Sequence, residues 1–420
     1  MNPTLPPAAD LDSDIVRVTR DTVDAVGAGL PLAARRAFQL ASRISHGSLT
    51  IRLPDGRRFR FDGEKPGPDA DMTVHDFGFA TRLAHGGDIG IGEAYLRGEW
   101  ETSNLTRFLQ LFCVNHELIA RMLDGHALAR LWQLFRHWLH RNTKSGSRRN
   151  IHAHYDLGNR FYESWLDRTM TYSSALFAHR DEDLSSAQTR KYRALAETTR
   201  IGPDSHVLEI GCGWGGFAEF VATEIGARVT GLTISKEQYD YARKRIFEKG
   251  LAERVDIQLR DYRDETGRYD RIASIEMFEA VGEEYWPVYF QQVARRLEDG
   301  GVAGLQVITI QDRFFDTYRR EMDFIRRYIF PGGMLPTPGI MKSLGERVGL
   351  ALGEERVFGL DYAETLAAWR ERFRAAWPNL VQLGFDERFR RMWEYYLAYC
   401  EAGFRSGNID VRQIVYTKPA

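Results

Sequence analysis

The stretch VLEIGCGWGGFAEF, residues 207–220, decides the fold of this chain. It begins as a short apolar strand, passes through Gly211, Gly213, Gly215 and Gly216, and continues as an apolar helical pattern. Glycines at such a junction let a ligand approach the backbone closely, and the N-terminus of the following helix supplies amide donors. The pattern therefore predicts a strand–turn–helix unit that binds a nucleotide-like ligand.

The segments around this loop alternate short apolar strands with helical patterns from about residue 200 onward. The strands read HVLEI, ARVTGLTI, RVDIQLRD, YDRIASIEMF and GVAGLQVITI. Alternation of this size is typical of a doubly wound, mostly parallel sheet, so the predicted fold class is α/β. Amphipathic helical patterns follow these strands and extend close to the C-terminus.

Acidic residues near the loop distinguish two possible ligands. A dinucleotide fold needs an acid at the end of its second strand to bind ribose hydroxyls, but that strand ends at Thr233 with no acid. Glu209 instead precedes the first glycine, and Asp261 follows the third strand. Carboxylates there suit the ammonium group and the adenine amino group of S-adenosylmethionine, which we predict as the cofactor. A tight turn without a ligand is disfavoured by four glycines in six residues.

Composition excludes several other classes of protein. The 420 residues carry a net charge of −1, which gives no indication of a nucleic-acid partner. Cys113, Cys212 and Cys400 form neither a disulfide framework nor a zinc pattern, so we expect no metal. The N-terminus has no apolar segment typical of a secretion signal, and no run of about 18 apolar residues predicts a membrane span. We therefore expect a cytoplasmic protein.

The chain divides into four predicted parts. Residues 1–20 have a disordered composition, 21–129 form an N-terminal domain, 130–150 form a basic, aromatic segment, and 151–420 form the domain that contains the glycine loop. In the N-terminal domain, the turn at 54–56 between alternating patterns predicts a β-hairpin.

The segment at 130–150 has six basic residues and no acid, interleaved with Trp132, Phe135 and Trp138. It is interpreted either as a solvated basic helix with a linker or as a contact with anionic phospholipid headgroups.

Several motifs resemble those of the cyclopropane fatty acid synthase family of methyltransferases. They are HYDLGNRFYESWLD (154–167), TYSSALF (171–177), VLEIGCGWGGFA (207–218), GLTISKEQ (231–238), YIFPGGMLP (328–336) and YYLAYCEAGFR (395–405). The resemblance implies a Rossmann-like methyltransferase domain with a helical lid and an N-terminal α+β lipid-binding domain. It also implies a homodimer associated with the phospholipid bilayer at the inner face of the membrane, and methylene transfer to the cis double bond of an acyl chain, which gives a cyclopropane.

The resemblance also assigns cofactor contacts by position. Together with the glycine-loop residues and the acids near that loop, they form one predicted set of cofactor-binding residues. The set is Tyr172, Ser173, Glu209, Gly211, Gly213, Gly215, Thr233, Gln238, Asp261 and Tyr262.

Members of this family hold a bicarbonate ion beside the reacting carbons with a Cys, a Glu, a His and a Tyr. Glu279 and Tyr362 match two of these positions, whereas Ser174 stands for the Cys and Gln306 for the His. Glu276 occupies a position that is commonly Gly. Our hypothesis is that the Glu276 carboxylate replaces bicarbonate as the general base, so that bicarbonate is not required.

Alternative roles for these residues remain open. Glu276 is a structural carboxylate if it pairs with an arginine such as Arg271, and Glu279 could orient Tyr362 or Glu276 instead of contacting substrate. Cys400 aligns with a family Cys sometimes proposed as catalytic, but a Cys in an amphipathic helix is usually a packing residue.

Three other functions compete with cyclopropane formation. A C-methyltransferase that makes a methylene or methyl branch on an acyl chain needs the same residues and differs only in the proton that is lost. A small-amine N-methyltransferase would not need the N-terminal domain or the basic segment. A lipid-binding relative without catalysis would explain Ser174 and Gln306 but not the intact glycine loop.

Overall fold

The computed structural model describes residues 15–116 and 157–420. Two compact units are present, one comprising Met1–Ala127 with Glu387–Ala402 and the other Leu128–Asp386 with Gly403–Ala420. Residues 1–14 of the segment predicted to be disordered, and the segment at 130–150 with both of its interpretations, lie outside the described residues. The prediction of disorder over 1–20 is wrong at Ile15–Arg17, which form a strand paired with Arg58–Arg60. Residues 387–402, which we expected in the methyltransferase domain, group with the first unit.

The N-terminal unit is built on a five-stranded sheet with the order β1-β3-β2-β4-β5. Its strands are β1 (Ile15–Arg17), β2 (His46–Arg52), β3 (Arg58–Asp62), β4 (Lys65–Val74) and β5 (Trp100–Glu101). Its first helices are α1 (Val23–Val26), α2 (Leu32–Ala41), α3 (Gly78–Leu96) and α4 (Leu105–Val114). Strands β2 and β3 form the predicted hairpin, with antiparallel pairing. Phe38 of α2 packs edge-on against Phe59 and Phe61 of β3, at ring-centroid distances of 5.3 Å.

The second unit contains a seven-stranded sheet with the order β11-β12-β10-β9-β6-β7-β8. The strands are β6 (His206–Ile210), β7 (Arg228–Thr233), β8 (Val255–Leu259), β9 (Tyr269–Ile275), β10 (Leu297–Ile310), β11 (Ala351–Val357) and β12 (Ile409–Thr417). Strands β6 to β10 pair in parallel, and β12 runs antiparallel to both β10 and β11. This arrangement confirms the predicted doubly wound, mostly parallel α/β fold.

The helices that follow α4 among the described residues belong mostly to this second unit. They are α5 (Asn159–Glu163), α6 (Leu184–Thr198), α7 (Gly216–Phe220), α8 (Lys236–Glu248), α9 (Trp286–Arg296), α10 (Asp312–Arg320), α11 (Phe324–Tyr328), α12 (Pro338–Arg347), α13 (Gly359–Gln382) and α14 (Glu387–Arg405). Shorter turns of 3-10 or π helix are Val221–Ile225, Tyr262–Asp264, Phe278–Ala280 and Glu283–Tyr285. None of the helices described at 15–116 and 157–420 is long and apolar enough to cross a membrane.

Most of helix α14 packs within the N-terminal unit, which explains the shifted boundary. Arg391 donates hydrogen bonds to the carbonyl of Tyr95 and to the carboxylate of Glu101. Thr106 donates a buried hydrogen bond of 2.8 Å to Glu401. These contacts join segments about 300 positions apart, so the local helical pattern at 387–402 could not indicate the unit to which it belongs.

Strand β6 shows how both faces of the large sheet are covered. Successive strand residues point to opposite faces. Val207 belongs to a cluster with α6, α7 and α8, whereas Leu208 belongs to a cluster with α9 and α12. Burial on both faces explains why the strand sequences read as continuous apolar runs.

The carboxyl ends of the parallel strands share one edge of this sheet. The glycine loop follows β6, Thr233 ends β7, and Glu276 comes directly after β9. Ligands of open α/β sheets bind at this edge, which is where the predicted site residues are concentrated.

Candidate active site

The glycine loop adopts the backbone conformation that its sequence predicts. Gly211, Gly213 and Gly215 have φ values of 86°, 52° and 80°, in the left-handed region that favours glycine. A Cβ atom on Gly216 would lie 2.6 Å from the hydroxyl oxygen of Tyr192. A Cβ on Gly213 would instead meet no atom within 4 Å. The loop is therefore close-packed on one side and open at Gly213.

Glu209 lies beneath this loop and is almost fully buried. Its Oε2 atom has no hydrogen-bond partner among the described residues. Burial raises the pKa of this carboxyl to about 8, although the nearby ammonium of Lys191 opposes the shift. An unsatisfied buried carboxylate oxygen is a suitable acceptor for a ligand ammonium group. The left-handed glycines and this oxygen together fit the amino-acid part of S-adenosylmethionine.

The other predicted cofactor residues lie on the loops after β7 and β8. Thr233 donates a hydrogen bond of 3.0 Å to the Oε1 atom of Gln238, and both side chains are buried. Asp261 is buried and pairs with Arg263 at 2.6 Å. Its neighbour Tyr262 is only partly buried. The pairing of Asp261 fixes its side chain, so any bond to an adenine amino group must use the remaining lone pairs of the carboxylate.

Tyr172 begins the loop that approaches the site from the other side. Its ring lies within 5.2–5.7 Å of the rings of Tyr162, Trp165 and Trp369. The next residue, Ser173, is buried. These rings form an apolar wall beside the predicted cofactor contacts.

Glu276 has an unusual backbone for a residue with a side chain. Its φ is 49°, a left-handed conformation that costs a non-glycine residue about 1–2 kcal/mol. The carboxylate is held by three donors. The amide of Ser174 and Nε2 of Gln306 each lie 2.8 Å from Oε1, and the hydroxyl of Tyr362 lies 2.6 Å from Oε2. These bonds compensate for the backbone strain and fix the carboxylate in one position.

Four separate segments contribute to this carboxylate pocket, which we define as Glu276 with Ser174, Gln306 and Tyr362. Ser174 supplies its amide, whereas its hydroxyl donates to the carbonyl of Ala175. Gln306 is oriented by Gln413, whose Nε2 donates to the Gln306 Oε1 atom at 3.1 Å. The pocket therefore contains the predicted Ser174, Gln306 and Tyr362 around a single acid.

The alternative pairing of Glu276 with Arg271 is absent. Arg271 donates to the carbonyls of Arg200 and Asp270 instead. Burial raises the pKa of Glu276, and the Lys191 ammonium is the largest influence that opposes this rise.

Glu279 lies close to the pocket but has different partners. One oxygen accepts a hydrogen bond from the amide of Ile308, and the other has no partner among the described residues. Burial, reinforced by the charge of Glu276, raises the pKa of Glu279 to about 8. The hydroxyl of Tyr362 donates to Glu276, so the structure does not show Glu279 orienting Tyr362.

Two polar residues of α6 were missed by the sequence analysis. Lys191 and Gln188 are fully buried, and both donate to Ser173. Their spacing of three places them on one helix face, where the apolar residues Leu184 and Leu195 also lie. A lysine on an otherwise buried helix face is the signal that could have identified them.

Cys400 was a weaker catalytic prediction. It lies in the part of α14 that belongs to the N-terminal unit and is partly buried. Its catalytic role remains a prediction. Within 15–116 and 157–420, no group of three or more His, Cys, Asp or Glu residues could hold a metal ion.

Comparisons with known proteins agree with this geometry. A family model described as mycolic acid cyclopropane synthetase matches residues 142–414. The tuberculostearic acid methyltransferase of Mycobacterium tuberculosis is 39% identical over 428 residues, which cover 97% of this chain and 96% of that protein. The cyclopropane-fatty-acyl-phospholipid synthase of Escherichia coli K12 is 36% identical over 354 residues, covering 83% and 88% of the two chains.

Solved structures extend the similarity to the fold. The cyclopropane synthase MmaA2 of Mycobacterium tuberculosis gives a TM-score of 0.61 at 30% identity, covering 64% of this chain and 98% of that chain. The mycolic acid cyclopropane synthase CmaA1, complexed with S-adenosylhomocysteine, gives the same values. S-adenosylhomocysteine is the product that S-adenosylmethionine leaves after methyl transfer. Its presence in that structure is consistent with a cofactor site at the glycine loop and Glu209 of this chain. The chain therefore belongs to the mycolic acid cyclopropane synthetase family and is an S-adenosylmethionine-dependent methyltransferase.

Proposed function

We propose that this enzyme methylates the cis double bond of a lipid acyl chain and that Glu276 is the general base. The observation that carries the proposal is the set of donors on the Glu276 carboxylate. Ser174, Gln306 and Tyr362 occupy three of the positions for which the resemblance implies bicarbonate ligands, and all three donate to Glu276. A carboxylate attached to the protein thus takes the place of the diffusible ion.

The cofactor supplies an electrophilic methyl group. Transfer of that methyl group would break its bond to the sulfonium sulfur, leaving S-adenosylhomocysteine, and would form a carbon–carbon bond to one alkene carbon. The positive charge on the other alkene carbon would be stabilised by a nearby carboxylate and by aromatic faces. Tyr172 with its neighbouring rings keeps the site apolar. Glu276 then accepts a proton from the substrate carbon, held in position by its three donors. Its raised pKa makes it a stronger base than an exposed carboxylate.

The product depends on where the positive charge lies when Glu276 accepts the proton from the new methyl group. With the charge on the neighbouring alkene carbon, proton loss closes a cyclopropane. A 1,2-hydride shift that first moves the charge to the methylated carbon gives a methylene branch instead. We place the branched product first, because the relative named tuberculostearic acid methyltransferase matches 97% of the chain. The cyclopropane predicted from the sequence is the second candidate, which the similarity to the Escherichia coli synthase favours.

One incubation tests both the base and the product. The enzyme is mixed with S-adenosylmethionine and vesicles of unsaturated phospholipid in degassed, bicarbonate-free buffer. The acyl chains are then analysed by mass spectrometry together with olefin-specific derivatisation, which separates a methylene branch from a ring of equal mass. We expect full activity and a derivatisable branch. A steep rise in activity with added bicarbonate would contradict the role of Glu276, and a product that resists derivatisation would establish the ring.

We further propose that the basic, aromatic segment at 130–150 brings the enzyme to an anionic lipid surface. Its six basic residues would each contribute about 1 kcal/mol near such a surface. Charge reversal of Arg136, Arg141 and Arg148 should weaken sedimentation with anionic vesicles, and high salt should act in the same direction. Unchanged sedimentation would reduce this segment to a linker.

A further inference from the structure

Lys191 is a buried cation that the proposed chemistry has not yet used. Its side chain is fully buried, and its ammonium donates a hydrogen bond of 2.7 Å to the hydroxyl of Ser173. Gln188, one helical turn earlier, donates a bond of 2.8 Å to the Ser173 carbonyl. Helix α6 thus holds Ser173 by both its side chain and its backbone.

The same loop is held from its other side as well. The amide of Ser174 donates to Glu276, and the amides of Ala175 and Phe177 donate to Thr365 and Asp361 of α13. Lys191 therefore binds Ser173, the residue directly before Ser174 of the carboxylate pocket.

Acidic groups act on Lys191 from three different elements. Burial lowers the pKa of Lys191 to about 7, and three acids oppose that shift. Glu276 follows β9, Asp167 follows α5, and Glu209 lies on β6. The ring of Tyr192 also faces the ammonium, at 4.7 Å from its centroid. Charged groups are rarely buried without compensation, so one buried cation serves several buried carboxyls.

We propose that Lys191 is a positioning residue: its buried ammonium fixes Ser173, and with it the adjacent Ser174 amide that binds Glu276, and it supplies positive charge behind the carboxylate pocket. This inference rests on the proposed role of Glu276. The hydrogen bond from Lys191 to Ser173 and the bond from the Ser174 amide to Glu276 carry the proposal. In the same direction, the lysine charge lowers the pKa of Glu276 and that of Glu209.

The sign of the expected pH effect follows from the charge. A base must be ionised to accept a proton, so kcat rises with pH through the pKa of Glu276. Removal of the ammonium raises that pKa, because the hydrogen bonds from Tyr362, Gln306 and the Ser174 amide remain but the nearby cation is lost. The acid limb of the kcat profile should therefore move to higher pH.

The test compares Lys191→Met with the wild-type enzyme, using unsaturated phospholipid vesicles and S-adenosylmethionine. Met keeps the length of the side chain without its charge. We expect the midpoint of the acid limb in kcat to rise by about one pH unit or more, and we expect activity to recover in alkaline buffer. Lys191→Arg, which keeps the charge, should leave the midpoint near its wild-type value if it folds. An unshifted midpoint in Lys191→Met would overturn the proposal.

Gln188→Met is the matched control, because it removes a neutral bond to the same Ser173 from the same helix. Calorimetry should show weaker S-adenosylmethionine binding in both variants, whereas only Lys191→Met should shift the acid limb. An equal shift in Gln188→Met would assign the effect to loop position and overturn the charge role. Glu276→Gln separates the two proposals. Wild-type kcat in that variant would refute Glu276 as the general base, and a shifted pH profile in Lys191→Met would then have to be explained by another acid.

Discussion

The glycine loop and the carboxylate pocket lie at the same edge of the large sheet but are constructed differently. The loop is one contiguous segment, and its left-handed conformations at 211, 213 and 215 all belong to glycine. The pocket collects Ser174, Gln306 and Tyr362 around Glu276 from positions up to 188 residues apart. There the left-handed residue is a glutamate. The loop avoids backbone strain, whereas the pocket retains it in order to place a functional group.

That difference indicates where each region is free to vary. A loop whose amides and backbone shape bind the cofactor depends on local conformation alone. A pocket whose chemistry depends on one carboxylate can tolerate changes in the residues that donate hydrogen bonds to it, provided that the carboxylate stays in position. Non-glycine residues that keep a strained backbone conformation, as Glu276 does, are usually functional. The comparison predicts that substitutions in the loop will impair binding and those in the pocket will impair turnover.

The largest expected effect is on turnover at Glu276. Glu276→Gln keeps the size of the side chain but cannot accept a proton from carbon, so kcat should fall by about 10²–10⁴-fold. The affinity for S-adenosylmethionine, measured by calorimetry, should change little. Wild-type kcat in this variant would remove Glu276 from the mechanism.

Glu276→Gly sharpens the same comparison. Glycine relieves the left-handed strain at φ 49° and vacates the space of the carboxylate. Added bicarbonate should then restore part of the lost activity, because Tyr362 and Gln306 still present their donors. Activity that does not respond to bicarbonate would mean that the pocket cannot accept a diffusible ion.

The next effect concerns binding at the glycine loop. Gly213→Val should weaken S-adenosylmethionine binding by about two orders of magnitude, or about 2.7 kcal/mol, because its side chain would occupy the open side of the loop. Gly250→Val is the matched control. Gly250 also has a left-handed φ, of 69°, and open space around its Cβ position, but it follows helix α8 outside the glycine loop. Both variants should lose stability, and only the first should lose the cofactor by calorimetry.

The glycine loop and the carboxylate pocket also differ in how much of each could be predicted from the sequence. The left-handed turn at Gly211 and Gly213 and the apolar strand segments could be predicted because each follows from a local sequence pattern. Glu276 stands out in the sequence as a carboxylate in an otherwise apolar segment, but its role was proposed only through a resemblance, as a departure from a common Gly. Lys191 was missed altogether, since its hydrogen-bond partner Ser173 is 18 residues away and no local pattern indicates that contact.

A smaller effect is expected from the hydroxyl of Tyr362. Tyr362→Phe keeps the ring against Phe404 but removes the donor to Oε2 of Glu276. Hydrogen bonds to charged groups contribute about 1.5–3 kcal/mol, so kcat should fall by about tenfold and its acid limb should move to higher pH. Tyr416→Phe is the control, because it removes a buried hydroxyl that donates to the Met341 carbonyl. Equal losses of kcat in the two variants would indicate a general packing effect.

The smallest effect on turnover is expected three residues after the base. Glu279 has a pKa of about 8, so it is mostly protonated at neutral pH and resembles a glutamine in charge and shape. Glu279→Gln can still accept the bond from the Ile308 amide. We therefore expect kcat to change by less than about threefold at neutral pH, in contrast to the same substitution at Glu276. A loss comparable to that of Glu276→Gln would show that the two acids share the base role.

Stability provides the independent readout for Glu279. Its pKa in the folded protein lies above the usual 4.5, so the folded state binds more protons between these values. The contribution of this group to the free energy of unfolding is complete below the ordinary pKa and is lost as the pH rises through about 8. Glu279→Gln removes that dependence. Urea unfolding at about pH 6 and about pH 8.5 should show the variant gaining stability relative to wild type at the higher pH, and a constant difference at both would mean that the carboxyl is already ionised in the folded enzyme.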